Sequence, residues 1–477
     1  MRPIDLAVII AYLAGVTWFG ARFRKNQRSL KDYFLGGQTT PWWAIALSIV
    51  SAETSTLTII GTPPLAYGGS FVFLQVVFGY LAARVVISAV FLPQYFKGQM
   101  FTAYALMERR FGVRTRKVTS AIFMVTRSLA EGVRVFAISI VISIILRTSG
   151  PASILVIVAL TLFYTFEGGM TAVIWTDVIQ MGMYVLGAAV SFFILLGKIP
   201  GGLPHALALA APAGKLRVFD FHWSWTNPYT FWAGAIGGCF LTTASHGTDQ
   251  LVVQRLLSAR SERQSRLALL SSWVLIFVQF TLFLTIGMLL WVYRGGHAFG
   301  KDELDRLYPS FIWQALPVGV AGLAMAAIIA AAMANLSAAL NSLASATVAD
   351  FYQPLTQNRH SPEHYLRISR YATFFWGAVL AGIATIAGQW GSVLESGLSI
   401  ASVTLGLLLG VFLLGVLTKR PGENAAIAGL IAGAAAMLFV RFGTKIPFTW
   451  WVLIGSAVTF GTGWLAGFAS GSNKRGA

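Results

Sequence analysis

Apolar stretches of about 20 residues recur along the whole of this 477-residue chain, and they constrain its fold more than any other feature. Inside lipid, only helices and closed barrels satisfy their own backbone hydrogen bonds, and runs this long and continuous are typical of helices. Charged residues make up 11% of the chain, whereas soluble domains contain about 25%. The sequence therefore predicts an all-α integral membrane protein that lies in a lipid bilayer and has no sizeable soluble domain.

Thirteen of these stretches are long enough to be interpreted as transmembrane helices. They lie near residues 3–21, 42–66, 70–96, 117–147, 152–166, 171–197, 229–253, 266–293, 316–347, 371–390, 393–417, 423–441 and 449–469. An odd number of spans places the two ends of the chain on opposite sides of the membrane.

The basic residues indicate which end lies on which side. Loops that we assign to the cytoplasm hold 22 Lys and Arg, the opposite loops hold 10, and three more lie within spans. Cytoplasmic loops of membrane proteins carry an excess of Lys and Arg. We therefore predict a multi-pass protein of the cytoplasmic membrane, with its N-terminus outside and its C-terminus inside. The net charge of +18 reflects this topology, so we do not expect nucleic acid as a partner.

Two of the predicted spans contain polar interruptions. The second passes through the polar run at 51–56 and ends at Gly-Thr-Pro-Pro, 61–64, and the seventh passes through Gly237-Gly238 and the polar run at 242–249. Interrupted helices at matching places in two halves are typical of inverted-repeat transporters, whose site lies near the middle of the membrane. The alternative is a pair of polar, glycine-kinked helices that line a bundle without binding a solute.

Five motifs resemble those of the solute:sodium symporter family, which includes sodium-coupled sugar, proline, sialic acid, iodide and monocarboxylate carriers. The motifs are Asp-Tyr-Phe-Leu-Gly-Gly at 32–37, the segment 168–180, Asp-Gln with Gln-Arg at 249–255, Leu-Asn-Ser at 340–342, and the glycine-rich segment 406–415. The resemblance implies symport of a small solute with Na⁺ by alternating access. It also implies one transporter domain over residues 1–477 with a LeuT-type core of five plus five inverted helices. The helices of 42–253 would include the first repeat and the start of the second, and the second repeat would cover 229–417. One extra helix would lie at 3–21 and two at 423–469.

Charged residues inside the fourth and sixth spans are candidates for the site. Arg127, Glu131 and Arg134 are separated by four and three residues, so they share one face of a helix. Their net positive charge would suit a substrate carboxylate, which guanidinium groups bind with two hydrogen bonds, and so favours an organic anion over the alternative of a neutral sugar. Alternatively, the three residues form a self-satisfied ladder that locks helices together.

Asp177 is a carboxylate within the sixth span, where an ionisable residue is a functional candidate by default because of its cost in lipid. The resemblance implies that it helps to bind a second sodium ion. Alternatively, it is a solvated carboxylate near the cytoplasmic end of its helix.

The resemblance also implies where the substrate binds, between the two interrupted helices. It assigns Ser51 and Thr54 on the second span to the substrate, and Gln75, Ser245 and His246 are looser candidates. His246 could instead carry a proton, because the ordinary pKa of histidine is near about 6.5, or it could simply be hydrogen-bonded within the bundle.

For sodium, the resemblance implies backbone carbonyls at Leu47, Val50 and Ala331 followed by two hydroxyl side chains. Oxygen ligands are what a hard cation requires. The two hydroxyl positions fall on Ala334 and Asn335, and Ser337 matches a serine of the second sodium site. Because Ala334 offers no side-chain oxygen, we expect weakened sodium binding, and proton coupling or uncoupled transport of the same fold remains the alternative.

Two other classes of function are less favoured. A membrane-embedded solute sensor would require a partner for output, and a membrane enzyme would require a nucleophile, metal or phosphate-binding motif, none of which we find. The sequence leaves the oligomeric state open, and a monomer suffices for the expected mechanism.

Overall fold

The computed structural model describes residues 2–22, 38–97, 103–164, 169–357 and 359–472. These residues form helices and their connections, with one isolated bridge between Thr40 and Ala259 and no sheet within the described ranges. The all-α prediction is therefore confirmed. The motif at 32–37 and much of the predicted cytoplasmic segment 22–41 lie outside the described residues.

Eighteen helical segments are numbered here in chain order. They are α1 (Pro3–Arg22), α2 (Trp42–Glu53), α3 (Thr56–Gly68), α4 (Phe71–Phe96), α5 (Ala103–Phe111), α6 (Val113–Leu146), α7 (Gly150–Tyr164), α8 (Gly169–Lys198), α9 (Gly202–Ala210), α10 (Phe231–Gly247), α11 (Gln250–Leu257), α12 (Glu262–Tyr293), α13 (Lys301–Ala315), α14 (Val320–Ala346), α15 (Pro362–Ala387), α16 (Val393–Leu417), α17 (Glu423–Gly443) and α18 (Phe448–Ser472).

Within the described ranges, nine helices are long and apolar enough to cross a membrane, and the bent pair α2–α3 makes a tenth. The apolar parts of α1 and α7 are shorter, at Pro3–Phe19 and Gly150–Leu162. Each of the thirteen predicted stretches coincides with a helix or a broken pair, but the number that crosses the membrane stays a prediction. The short helices α9 and α13 lie in connections where the sequence predicted no span.

Both predicted interruptions are present. The second stretch breaks at Thr54–Ser55, and α2 and α3 meet there at 67°. The seventh breaks at Thr248–Asp249, between α10 and α11. By contrast, Pro63 and Pro64 lie inside α3 and do not end it. Tight packing holds this part of α3 in place, because a Cβ atom at Gly287 of α12 would lie 2.0 Å from the Pro63 carbonyl oxygen.

The helices that carry the site pack closely because small residues face each other between α4 and α10. A Cβ atom at Gly79 of α4 would lie 2.5 Å from the Ala235 carbonyl oxygen, and one at Gly238 of α10 would lie 2.4 Å from that of Val76. Small residues at such contacts let helix backbones approach closely in membranes. The contact fixes the relative position of α4 and α10, and Arg84 of α4 and His246 of α10 both reach Glu53 at the end of α2.

Candidate substrate and ion site

A cavity of about 590 Å³ lies where the two interrupted helices meet. Its wall includes charged and amide side chains from five helices, namely Glu53 on α2, Arg134 on α6, Asp177 on α8, His246 on α10 and Asn335 on α14. A volume of several hundred Å³ with a few convergent polar groups is typical of small-molecule sites.

The first interruption leaves the N-terminus of α3 open. Its N-cap residue, Ser55, makes no side-chain hydrogen bond to the helix. The hydroxyl of Thr56, the first residue of α3, is buried and has no hydrogen-bond partner among the described residues. The N–H groups and dipole at a helix N-terminus favour an anion. Arg134 lies next to this end, because Ser55, Thr56 and Arg134 line, together with Glu131, one small void that has room for about one water molecule.

The triad on α6 combines ion pairing with unused bonding capacity. Arg127 and Arg134 both pair with Glu131 Oε1, Arg127 at a distance of 3.2 Å. The other oxygen of Glu131 and the Nε atoms of both arginines are buried without a partner among the described residues. The side chain of Arg134 is 29% exposed and that of Arg127 is 10% exposed. The predicted ladder therefore exists, but it keeps one net positive charge and free donors beside the cavity.

A second charged cluster lies at the end of α2. Glu53 Oε2 accepts a hydrogen bond from Arg84 Nη2 at 2.7 Å and lies 3.3 Å from His246 Nε2. Nδ1 of His246 lies 2.9 Å from the hydroxyl of Ser245. Arg84 on α4 is fully buried. Ser245 and His246, both predicted substrate contacts, line the cavity beside Glu53.

The second interruption closes its own helix end. Asp249 is the N-cap of α11, and its Oδ1 accepts from the N–H of Leu251 at 2.8 Å. The carboxylate of the chain itself thus occupies the position that an anion would take at this helix N-terminus.

Asp177 is buried and paired. Its Oδ2 accepts from the Ser48 hydroxyl at 2.5 Å and from Arg255 Nη2 at 2.9 Å. Arg255 Nε also donates to the hydroxyl of Ser48 at 2.9 Å. The alternative of a solvated carboxylate at a helix end does not fit this burial. A role in binding sodium stays a prediction.

Of the predicted sodium ligands, Asn335 and Ser337 line the cavity together with Asp177. The hydroxyl of Ser337 is buried with no partner among the described residues, so an oxygen ligand is available to a cation there. The carbonyls of Leu47 and Ala331 belong to helical turns away from the cavity wall, and that of Val50 accepts from the N–H of Thr54 at 2.8 Å.

Three predicted substrate contacts do not line the cavity. Ser51 and Thr54 are buried beside the break, and the Thr54 hydroxyl accepts from Gln279 Nε2 at 2.7 Å. Gln75 is fully buried and fastens an outer loop, donating to the Tyr229 carbonyl at 2.9 Å and accepting from the N–H of Asp220 at 2.8 Å. Contact of these three residues with a substrate stays a prediction.

Sequence reasoning gave no role to Glu53, Arg84, Ser48 or Arg255. For Glu53 and Arg84 a signal was present, because opposite charges within two consecutive spans must be paired or functional. Ser48 and Arg255 carried no comparable signal, since Arg255 was counted among the basic residues of a cytoplasmic loop.

A helical membrane bundle with a polar cavity between two interrupted helices defines a transporter of small solutes. Comparisons with known proteins agree with this class. Residues 33–433 match the model of the sodium:solute symporter family. The sodium/sialic acid symporter SiaT of Proteus mirabilis is 30% identical over 460 residues, which cover 95% of this chain and 92% of SiaT. Human sodium-coupled monocarboxylate transporter 1 is 30% identical over 88% of this chain and 70% of the transporter.

A solved structure supports the same assignment. The substrate-bound, outward-open structure of a Na⁺-coupled sialic acid symporter superposes with a TM-score of 0.83, at 29% identity and over 97% of both chains. The chain belongs to the sodium:solute symporter family. It is a multi-pass membrane transporter, not an enzyme, and it couples transport of a small solute to Na⁺.

Proposed function

We propose that this chain uses the sodium gradient to take up a small organic anion that carries a carboxylate. The observation that carries the proposal is the open N-terminus of α3, which meets the main cavity at Ser55, with the unpartnered Thr56 hydroxyl and Arg134 in a small void beside it. Guanidinium groups, hydroxyls and helix N-termini are the groups that bind carboxylates in proteins.

The positions of the charges around the cavity, whose sum is zero, support an anion beside α6. The pairs Glu53–Arg84 and Asp177–Arg255 are each neutral as ion pairs. Two arginines share one glutamate on α6, which leaves a positive charge there, and the remaining carboxylate of the cavity wall, Asp249, caps α11 at the other interruption. The names of two relatives, a sialic acid symporter and a monocarboxylate transporter, point to the same chemistry. Ser51, Thr54, Gln75, Arg127, Ser245 and His246 complete the substrate contacts that we propose.

For the ion, we propose that Na⁺ binds at the carbonyls of Leu47, Val50 and Ala331 and at the side chain of Asn335. Ser337 and Asp177 serve a second site. To bind the ion, the Val50 carbonyl must give up its hydrogen bond from the N–H of Thr54. Asp177 must likewise give up its bond from Arg255. With Ala334 in place of a hydroxyl, sodium binding is weaker than at a site with both hydroxyls.

Alternating access follows from this arrangement. Ser342 and Ser345 line the cavity near the end of α14, next to the segment 348–370, whose basic residues predict a cytoplasmic position. Toward the other side, the Tyr229 hydroxyl donates to Glu395 Oε1 at 2.6 Å. We propose that this bond closes the outer side while the cavity opens to the cytoplasm.

The wider organisation is part of the proposal. Thirteen helices cross the cytoplasmic membrane with the N-terminus outside and the C-terminus inside. Helices within 42–417 form the LeuT-type inverted repeats in one domain, and a single chain suffices for transport.

Uptake by purified protein in liposomes tests the proposal. The probes are N-acetylneuraminate, lactate and pyruvate, with glucose and mannitol as neutral solutes, and the outside salt is sodium, potassium or choline at two values of pH. We expect uptake of at least one carboxylate, dependent on sodium and independent of the pH gradient. Uptake of a neutral solute alone would refute the anion. Equal uptake in all three salts, driven by a pH gradient, would refute the sodium ligands that we propose.

A further inference from the structure

The two helix interruptions are joined directly by side chains. Glu53 is the last residue of α2 before the first break, and His246 lies at the end of α10 before the second. Glu53 Oε2 and His246 Nε2 are 3.3 Å apart. The carboxylate therefore stands at the junction of the two helices between which the cavity lies.

Arg84, which is buried, binds the Glu53 carboxylate. Its Nη2 donates to Glu53 Oε2 at 2.7 Å, its Nε donates to the Ser272 hydroxyl at 3.0 Å and its Nη1 donates to the Tyr80 carbonyl at 3.2 Å. Each nitrogen has a fixed partner, and the side chain is fully buried. Arg84 is thus a positioning residue, which fixes one oxygen of Glu53 and cancels its charge.

The other oxygen of Glu53 is available. Within the described part of the chain, Oε1 accepts no hydrogen bond, and it is not among the buried atoms that lack a partner. Glu53 lines the cavity and keeps 11% of its side-chain surface exposed. Because Oε2 takes both contacts, Oε1 is the oxygen that opens on the cavity.

An aromatic wall stands beside it. Phe73, Tyr80 and Phe280 line the same cavity, with ring centroids 5.2 Å apart for Phe73–Phe280 and 6.5 Å apart for Tyr80–Phe280. Aromatic faces suit the apolar face of a ring or chain and, by their quadrupole, a cationic group.

We propose that Glu53 Oε1 is a specificity determinant that accepts a hydrogen bond from a hydroxyl or ammonium group of the substrate. This inference rests on the proposed function and narrows it: the substrate is a carboxylate that also carries a hydrogen-bond donor. An ionised carboxylate only accepts hydrogen bonds. A substrate with a C–H group at this position would leave Oε1 without a partner, and sites that bind a hydroxyl or N–H group reject analogues that lack it strongly.

The test measures binding of matched carboxylates to purified protein in sodium by calorimetry. One set is propionate, lactate and alanine, and the other is hexanoate, gluconate and 6-aminohexanoate. Within at least one set, the member with a donor should bind about a hundredfold tighter than the bare acid. If the hydroxy acid binds tighter than the bare acid, the donor is a hydroxyl group, and if the amino acid does, the donor is an ammonium group.

Glu53→Gln should erase this preference. Arg84 requires an acceptor, so the amide oxygen turns to Arg84 and the NH₂ group faces the cavity, where a donor then meets a donor. If the single variant does not fold, the double variant Glu53→Gln/Arg84→Gln replaces it, because it removes both buried charges. The double variant should also lose the preference. Glu262→Gln, which removes an exposed carboxylate that pairs with Arg266 away from the cavity, is the control and should keep the preference.

Equal binding of bare and donor-bearing acids by the unaltered protein would overturn the inference, and so would a preference that survives both Glu53 variants. Either result leaves anion uptake intact. Conversely, if no carboxylate binds but gluconate's neutral analogue sorbitol binds in a Glu53-dependent manner, the anion proposal fails while the role of Glu53 stands.

Discussion

The two interrupted helices end their first halves alike and begin their second halves differently. In the first, the N–H of Thr54 donates a hydrogen bond to the Val50 carbonyl at 2.8 Å. In the second, the N–H of Thr248 donates to the Ala244 carbonyl at 3.0 Å. The next helix then begins without a side-chain cap at Ser55 in α3, but with the carboxylate of Asp249 as its cap in α11.

This difference indicates which break can bind an anion. An N-cap carboxylate satisfies the first N–H groups of its helix and neutralises the positive end of the helix dipole. The α11 end is therefore already satisfied by the chain, whereas the α3 end has an unpartnered hydroxyl and Arg134 beside it. Under the proposed function, the two breaks have divided their roles: one takes the substrate and the other supplies its own charge.

The largest effect is expected when the first break is made like the second. Ser55→Asp should cap α3, which raises or preserves thermal stability, and should repel a bound carboxylate. Like charges in contact cost several kcal/mol, so affinity should fall about a hundredfold or more. Ser55→Asn caps the helix without adding a charge, so its affinity for the carboxylate should fall much less. If Ser55→Asp binds the substrate as tightly as the unaltered protein does, the substrate carboxylate does not bind at this helix end.

Arg134 sharpens the same comparison with a smaller effect. Arg134→Gln should weaken carboxylate binding by about 10- to 100-fold, since hydrogen bonds to charged groups contribute about 1.5–3 kcal/mol. Arg134→Lys keeps the charge but loses the two-donor fork, so its loss should be smaller. Glu131 stays paired with Arg127 in both variants. If both Arg134 variants lose stability and their remaining folded protein binds the carboxylate normally, the triad is a structural ladder.

The smallest effect concerns sodium and rests on the missing hydroxyl. Ala334→Ser should tighten the apparent sodium affinity of uptake by about fivefold, because one added ligand is worth roughly 1 kcal/mol. Ala321→Ser adds the same hydroxyl about 20 Å away along α14 and serves as the control. An unchanged sodium dependence in Ala334→Ser would place the ion elsewhere.

Much of the fold follows from the sequence because apolar length and polar interruption are local signals. The breaks at Thr54–Ser55 and Thr248–Asp249 fall within the polar runs predicted for them. The one-sided triad on α6 likewise follows from residue spacing alone. The continuation of α3 through Pro63 and Pro64 does not, since it depends on the close approach of Gly287 from a distant helix.

The site was harder to predict because its partners come from distant parts of the chain. Asp177 could be recognised as a costly carboxylate, but only the fold brings Arg255 and Ser48 to it. Glu53 and Arg84 were visible as charges within spans, yet only the fold brings Arg84 of α4 to Glu53 at the end of α2. Spacing along one helix can be deduced from a sequence, whereas contacts between helices that no periodicity relates cannot.

The most direct test of the account is a structure of the protein in sodium with the carboxylate that uptake assays select. We predict that the carboxylate lies within hydrogen-bonding distance, about 3 Å, of the Thr56 hydroxyl or the first N–H groups of α3, with Arg134 as its counter-ion. Asp249 should remain the cap of α11 in the same structure. A carboxylate bound at α11 in place of Asp249, or bound away from both breaks, would contradict the division of roles between the two interrupted helices.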